Sequence, residues 1–387
     1  MASSDEIKKG ESKCFYIKDK RTRKKLEIAV FNIEGELYAI SNICIHKGGP
    51  LSQGLLNGYI VTCPWHGWKY SIKDGKSPHQ GGDSVDSFRL KEINNKIYVN
   101  TIPSNLGKKV SQPHRRYSTL EESVNNYLKQ QKSKIKYNKL STKKSSIRIL
   151  GISTTNTNDE LAPRKSTSED ALNFALEYSR NNFMSETVLI KLRQLEFKHC
   201  EGYYSKNAKA CIFPCSISEM NKDDQMIEIY EKMILWANIV LISTPIRWGN
   251  ASSLYYKMIQ RLNCVQNQII TNNKYLIRNK LAGFIIIGGQ DNIQHIAGEL
   301  MTFWSQLGFL FGKFPFVGWS RGWYREDTDH NYEEMTKHIK KYQYQSNKNQ
   351  TDNNNEFYKD IIKMINGLIE LSNLIRQYNY DEKILSY

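Results

Sequence analysis

The chain has 387 residues, with 55 lysines and arginines against 39 aspartates and glutamates, a formal charge of +16. That length suits two or three domains, and the longest apolar run, residues 281–287, is far short of the roughly 20 residues a membrane span needs. The excess charge is local: residues 107–149 carry 12 basic and 2 acidic groups, whereas residues 150–387 carry 27 and 26, so a chain-wide nucleic-acid footprint is excluded.

The N-terminus has no apolar signal core. Seven cysteines, an odd number in a long chain, do not read as a disulfide scaffold, and a reducing, cytoplasmic setting is expected.

In chain order, residues 26–31 and 37–40 read as strands about a Glu34-Gly35 turn. Residues 59–62, 88–93 and 97–99 continue the pattern, with Asn94-Asn95 as another turn. A small all-β domain over residues 1–105 is expected. Residues 106–146 are rich in Lys, Gln, Ser and Asn and poor in large apolar groups, the composition of a basic flexible linker. Leu120, Val124 and Leu128 mark a short helix inside it.

From residue 147 strands and helices alternate. Strands are expected at 147–152, 188–192, 239–243, 281–287 and 314–317, with helices at 168–179, 223–237, 251–263 and 293–307. This order predicts an α/β domain, a doubly wound five-stranded parallel sheet, over residues 147–345. Residues 346–387 then form a polar linker and an amphipathic helix. Phe357, Ile361, Ile365, Leu368, Leu371 and Ile375 form its stripe, a packing face for the domain or a second subunit.

The densest chemistry lies in two loops. Cys44-Ile-His46-Lys-Gly-Gly-Pro50 is followed, after a strand-like interval, by Cys63-Pro-Trp-His66-Gly-Trp68. Two Cys-plus-His loops suit a [2Fe-2S] cluster in which thiolates hold one iron and imidazoles the other. Structural zinc more often takes a Cys-x₂-Cys pair and a His-x₃₋₅-His pair than one of each per loop. The two loops resemble the Rieske signature, specifically the ferredoxin type. The resemblance implies that Cys44 and Cys63 hold one iron and His46 and His66 the other.

High-potential respiratory Rieske proteins add a cysteine to each loop, where this chain has Gly49 and Trp65, and a hydroxyl two residues after the second histidine, where it has Trp68. Fewer hydrogen bonds to the cluster imply a potential at the low end of the Rieske range, about −150 mV. A ring-hydroxylating oxygenase would need a second iron on a two-His-one-carboxylate triad. After residue 150 the only histidines are His199, His295, His330 and His338, with no closely spaced pair, so that class is not expected.

In the second half, Ser153 ends the first expected strand, and Arg164, Ser166, Thr167 and Ser168 lead into a helix whose free amides suit a phosphate. Ordinary N-capping by Ser168 with Glu169 and Asp170 is the competing reading. Neither a G-x-G-x-x-G fingerprint nor a G-x-x-x-x-G-K-[ST] loop is present. After the third strand come Thr244, Pro245, Ile246, Arg247, Trp248, Gly249 and Asn250, able to cup a planar ring. After the fourth come Gly288, Gly289 and Gln290. This half resembles the flavodoxin-like NADPH-dependent FMN reductase and iron–sulfur flavoprotein family. The resemblance implies FMN, its phosphate near Ser153 and residues 166–168 and its isoalloxazine near residues 244–250 and 288–290. Cys200, Cys211 and Cys215 lack the compact four-cysteine motif of iron–sulfur flavoproteins and read as structural thiols or a lost site.

The expected activity is that of an oxidoreductase passing electrons from NAD(P)H through FMN to the Rieske cluster, and on to a partner protein or small-molecule acceptor. A homo-oligomer is compatible with this reading; membrane insertion and nucleic-acid binding are not expected. The alternatives are a quinone or flavin reductase with an accessory Rieske domain, and a non-catalytic electron carrier or redox sensor.

Overall fold

The computed structural model describes residues 3, 6–79, 81–133, 146–157, 166–288, 292–320 and 356–378. The chain divides into two units: Met1–His114 with Glu201–Ile212, and Arg115–Cys200 with Phe213–Tyr387.

The first unit is built from short antiparallel strands. These are β1 (Ser12–Lys18), β2 (Lys25–Ile33), β3 (Glu36–Ser41), β4 (Leu55–Asn57), β5 (Ile60–Thr62), β6 (Lys69–Ser71), β7 (Ser87–Phe88), β8 (Leu90–Ile93) and β9 (Lys96–Val99). They form sheets of order β1-β2-β3-β7, β4-β5-β6 and β8-β9. Turn chemistry sets two registers. Glu34 and Gly35 both take positive φ between the paired Ile33 and Glu36, and Asn94 and Asn95 do the same between Ile93 and Lys96. Two-residue loops of this kind match the strand twist. Ala29, Phe31, Ile40, Leu51, Val61, Tyr70 and Ile72 fill the core beneath the loops that carry Cys44 and Cys63.

The basic stretch after residue 106 is not a linker over its described part, residues 107–133. Gly107 N–H donates to Asp86 (2.6 Å), and Val110 and Ser111 N–H both donate to the buried Asp83 (2.6 Å each). The chain then enters α1 (Arg115–Ser133) in the second unit, where Tyr117, Leu120 and Val124 are buried. An apolar stripe at three- and four-residue spacing, with an Arg116–Glu228 ion pair at 3.1 Å, docks this helix despite its polar composition. The remainder of the expected linker, residues 134–145, lies outside the described residues.

The second unit carries β10 (Arg148–Ser153), α2 (Thr167–Phe183), β11 (Glu186–Lys191), α3 (Ser216–Met220) and α4 (Met226–Tyr230). It continues with β12 (Ile239–Pro245), α5 (Ser253–Arg261), α6 (Asn263–Asn272), β13 (Leu281–Gly288), α7 (Ile293–Leu307), β14 (Leu310–Ser320) and α8 (Glu356–Tyr378). The sheet is parallel, with order β11-β10-β12-β13-β14, the flavodoxin-like winding. β12 and β13 are buried along their whole length, as central parallel strands are. The helix expected over 223–237 is instead α4 followed by a π-helical turn, Glu231–Trp236. The expected amphipathic tail helix is α8. Its Phe357, Ile361, Ile365 and Leu368 join the domain core with Leu172 and Leu176 of α2, so the stripe packs on its own unit. Residues 321–355 and 379–387 lie outside the described residues. Among the described residues no helix is long and apolar enough to cross a membrane.

Candidate cofactor sites

The two Cys–His loops have matching backbones. The first runs from β3 towards β4, the second joins β5 to β6. In the first, Cys44 N–H donates to Gly49 C=O (2.9 Å) and Gly48 N–H donates back to Cys44 C=O (2.8 Å). In the second, Cys63 N–H donates to Trp68 C=O (2.7 Å) and Gly67 N–H donates to Cys63 C=O (3.1 Å). Gly48 and Gly67, each four residues after its cysteine, lie at φ +82° and +74°. That left-handed turn is the step at which glycine is favoured.

These turns aim main-chain donors at the sulfurs. The amides of His46 and Lys47 point to Cys44, and those of Trp65 and His66 to Cys63. A hydrogen bond from the Cys63 thiol, with help from Tyr70 and those amides, brings Cys44 down to about 7 in spite of burial. The same bond and burial push Cys63 up. Tyr70 Oη lies 3.2 Å from Cys44 Sγ. Burial, then the nearby Cys44, holds that phenol well above its ordinary range, so it keeps the proton it would donate to a thiolate there.

The two imidazoles meet edge to face at 4.6 Å between centroids. Trp68 stacks on His46 at 4.5 Å and 5°. His46 and His66 are both buried. Among the described residues no three His, Cys, Asp or Glu groups converge on one ion position; Cys44, Cys63, His46 and His66 gather as a sulfur pair and an imidazole pair. This donor set, with main-chain amides aimed at the sulfurs, fits a cluster with two ligands per iron. Gly49 leaves no room for a larger residue. A Cβ there would lie 2.7 Å from Cys63 Sγ and 2.9 Å from the Trp65 ring. Sequence reasoning weighed the position of Trp68 and missed Tyr70, the buried residue two positions on, in β6.

In the second unit, parallel pairing brings three strand ends to one edge: Ser153 pairs with Ser243, and Pro245 with Ile287. The fully buried Ser153 donates its hydroxyl to Glu169 Oε2 at 3.0 Å. Glu169 also takes Lys191 Nζ at 2.6 Å and the Arg193 guanidinium. Burial alone would raise its carboxyl, but Arg193 and then Lys191 hold it below the usual range. One carboxylate against two cations leaves a positive surplus under the first loop. Sequence reasoning took Glu169 for a helix-end residue and overlooked both cations, whose signal was their position at the end of an expected strand.

Ser166 begins α2 but makes no side-chain cap; its hydroxyl lies 3.1 Å from that of Ser168. The Ser168 carbonyl accepts from Ser243 Oγ at 2.5 Å. The first amides of the helix, those of Thr167 and Ser168 among them, lie at the helix start, which the Ser166 side chain does not cap. Arg164 lies outside the described residues.

The loop after β12 closes as a tight turn. Arg247 N–H donates to Asn250 C=O (2.8 Å) and Asn250 N–H to Arg247 C=O (3.0 Å), with Trp248 and Gly249 at φ +51° and +74°. Both central residues are left-handed, the mark of a type I′ turn, and Trp248 is 92% exposed at its tip. A large aromatic held exposed in that strained region is an outlier that points to function. Below it, Thr244 Oγ1 accepts from Ser252 N–H (3.1 Å), and Ile246 N–H donates to Ile287 C=O (2.7 Å). Gly288 is enclosed: a Cβ there would lie 2.5 Å from Ile246 Cβ. Gly289 and Gln290 lie outside the described residues, while Asn292 of the same loop donates to Gly249 C=O.

Of the remaining cysteines, Cys215 is buried and held below the usual thiol range by a hydrogen bond from Cys264 and, against burial, by the charge of Arg261. Cys264 is buried and Cys14 half-buried.

Comparison with known proteins matches two separate stretches of the chain. Residues 1–88 match the Rieske [2Fe-2S] domain and residues 147–323 match NADPH-dependent FMN reductase. A human Rieske domain-containing protein is 31% identical over 111 residues, 26% of this chain and 67% of that protein. The ferredoxin component of the naphthalene 1,2-dioxygenase/salicylate 5-hydroxylase systems of Ralstonia sp is 39% identical over 51 residues, 13% of this chain and 49% of that protein. The 8-demethyl-8-aminoriboflavin-5'-phosphate synthase of Streptomyces davaonensis is 23% identical over 155 residues, 40% of this chain and 57% of that protein. The chain thus spans less than two thirds of either of these last two relatives.

Proposed function

Because the chain belongs to the Rieske [2Fe-2S] family through its first domain and joins it to an NADPH-dependent FMN reductase domain, we propose that it is an oxidoreductase carrying electrons from NAD(P)H through FMN to the cluster and on to an acceptor. The observation that carries this reading is the coexistence, in one chain, of a paired Cys₂/His₂ site and a flavodoxin-like sheet edge with an exposed aromatic. When bound, FMN accepts hydride as an electron pair and releases single electrons, and a Rieske cluster holds one.

The protein's part is to hold these groups and tune them. Cys44 and Cys63 would bind one iron, His46 and His66 the other, with the loop amides and Tyr70 donating to the sulfurs. At the second site, Ser166, Thr167 and Ser168 would take the FMN phosphate at the start of α2. The paired Lys191 and Arg193 raise the local potential for that anion. Ser153 orients Glu169 beneath it. Residues 244–250 and Gly288 would flank the isoalloxazine, Trp248 covering it from solvent.

The Ralstonia relative is named as the ferredoxin component of a dioxygenase system. By extension, a redox partner protein is the acceptor class we assign, with a small-molecule acceptor as the other candidate. Absorbance and EPR of the purified chain after dithionite test the cofactor set: flavin bands with a Rieske signal are expected. Stopped-flow mixing with NADH and NADPH tests the activity. Flavin bleaching by either supports a reductase; no bleaching by either contradicts it.

A further inference from the structure

The chain leaves its second unit after Cys200, belongs to the first unit over Glu201–Ile212, and rejoins the second at Phe213. The excursion consists of two 3-10 turns, Tyr203–Ser205 and Ala208–Ala210. It is braced from within. The Asn207 side chain accepts from Lys209 N–H (2.9 Å), and Ala210 N–H donates to Asn207 C=O (2.9 Å).

This segment closes on one cluster-ligand candidate. His66 Nε2–H donates to the Ala210 carbonyl at 2.9 Å. The Tyr203 ring meets the His66 ring edge to face, at 4.6 Å and 80°. Ala210 is 1% exposed and shares a core with Cys44, Cys63, Trp65 and Tyr70. A carbonyl only accepts, so this bond places the imidazole proton on Nε2 and leaves Nδ1 as the atom able to bind metal. Hydrogen bonds of this sort fix the tautomer and orientation of metal-binding histidines.

We propose that Glu201–Ile212 is a built-in clamp for His66: Tyr203 and the Ala210 carbonyl are positioning groups that set its tautomer and close its outer edge. The proposal rests on the reading of His66 as a Rieske ligand. Retention of the cluster in the first domain then depends on a piece of sequence embedded in the second. A redox partner docks elsewhere than on the His66 ring edge, which the clamp occupies.

The test uses the full chain and three substitutions: Tyr203→Ala, Tyr203→Phe and Ala210→Arg, the last wedging the segment outward. Iron and sulfide content, the rate of cluster loss to a chelator, and the EPR g-values are read on the purified proteins. Nitrogen NMR of the imidazoles gives the His66 tautomer in the metal-free chain. The expected result is cluster loss about ten- to hundredfold faster, with shifted g-values, in Tyr203→Ala and Ala210→Arg. Tyr203→Phe, which keeps the ring, behaves as the parent, and metal-free His66 carries its proton on Nε2. A cluster that is held but indifferent to both disruptive changes, or a His66 protonated on Nδ1, overturns the clamp alone. A parent chain holding iron without sulfide, or no iron, overturns the ligand reading and the clamp with it.

Discussion

Replacing Tyr70 with Phe removes one oxygen from a fully buried ring and leaves the ring's packing in place. That oxygen lies 3.2 Å from Cys44 Sγ and, protonated, donates to it. With cluster bound, the reduced state carries more negative charge on its sulfur ligands, so the donor favours reduction and its loss lowers the potential. A hydrogen bond to a charged acceptor is worth about 1.5 kcal/mol at the low end. If half to all of that distinguishes the two redox states, the potential drops by about 30–65 mV, because 1.36 kcal/mol corresponds to 59 mV for one electron. Redox titration followed by EPR measures the shift, with thermal unfolding as a check on the fold. An unchanged or raised potential in a normally folded variant refutes the reasoning.

Gly49→Ala should abolish cluster incorporation, since its methyl falls 2.7 Å from Cys63 Sγ; full iron and sulfide content in the purified variant would contradict this. Trp248→Asn converts the strained turn to Asn-Gly, the pair type I′ turns prefer, and should relieve about 1 kcal/mol of backbone strain. FMN binding, followed by flavin fluorescence, should weaken two- to tenfold, for a lost stacking contribution of about 0.5–1.5 kcal/mol; unchanged affinity would remove Trp248 from the flavin site. Asp224 and Arg261 form a fully buried ion pair at 2.7 Å. Burial would raise the Asp224 carboxyl, but Arg261 and Ser218 hold it low. Its stabilisation is therefore present above the unfolded carboxyl value of about 3.9 and lost as pH falls through the lower folded value. Asp224→Asn should cost about 3–5 kcal/mol at neutral pH by leaving Arg261 uncompensated. The difference should shrink in acid, and denaturant unfolding at neutral pH and at pH near 3 measures it; an equal loss at both contradicts the pairing.

Much of this was legible in the residues. Three strands of the parallel sheet, β10, β12 and β13, announce themselves as continuous or near-continuous apolar runs, because a strand covered on both faces has no polar side to alternate with. The Cys44/His46 and Cys63/His66 loops were legible because metal chemistry restricts residue type and spacing. β1 was not anticipated: its Cys14-Phe15-Tyr16-Ile17 stretch is only partly buried and lies between lysines, so its pattern is weak. α1 was seen only as a short helix, since the buried Tyr117, Leu120 and Val124 sit among mostly polar residues and its docking depends on a partner surface far along the chain. The Glu169–Lys191–Arg193 group is assembled by strand register, which local periodicity does not reveal. The His66–Ala210 bond is least legible of all. It joins positions 144 residues apart through a backbone carbonyl, and a carbonyl leaves no mark on residue identity.

The most direct test of the central claim is anaerobic titration of the full chain with NADPH, and with NADH in parallel, following flavin absorbance and the Rieske EPR signal in the same sample. Electron flow from nicotinamide through flavin to the cluster predicts that flavin bleaching is accompanied by the appearance of the reduced-cluster signal. A fully reduced flavin beside a cluster that stays oxidised contradicts it.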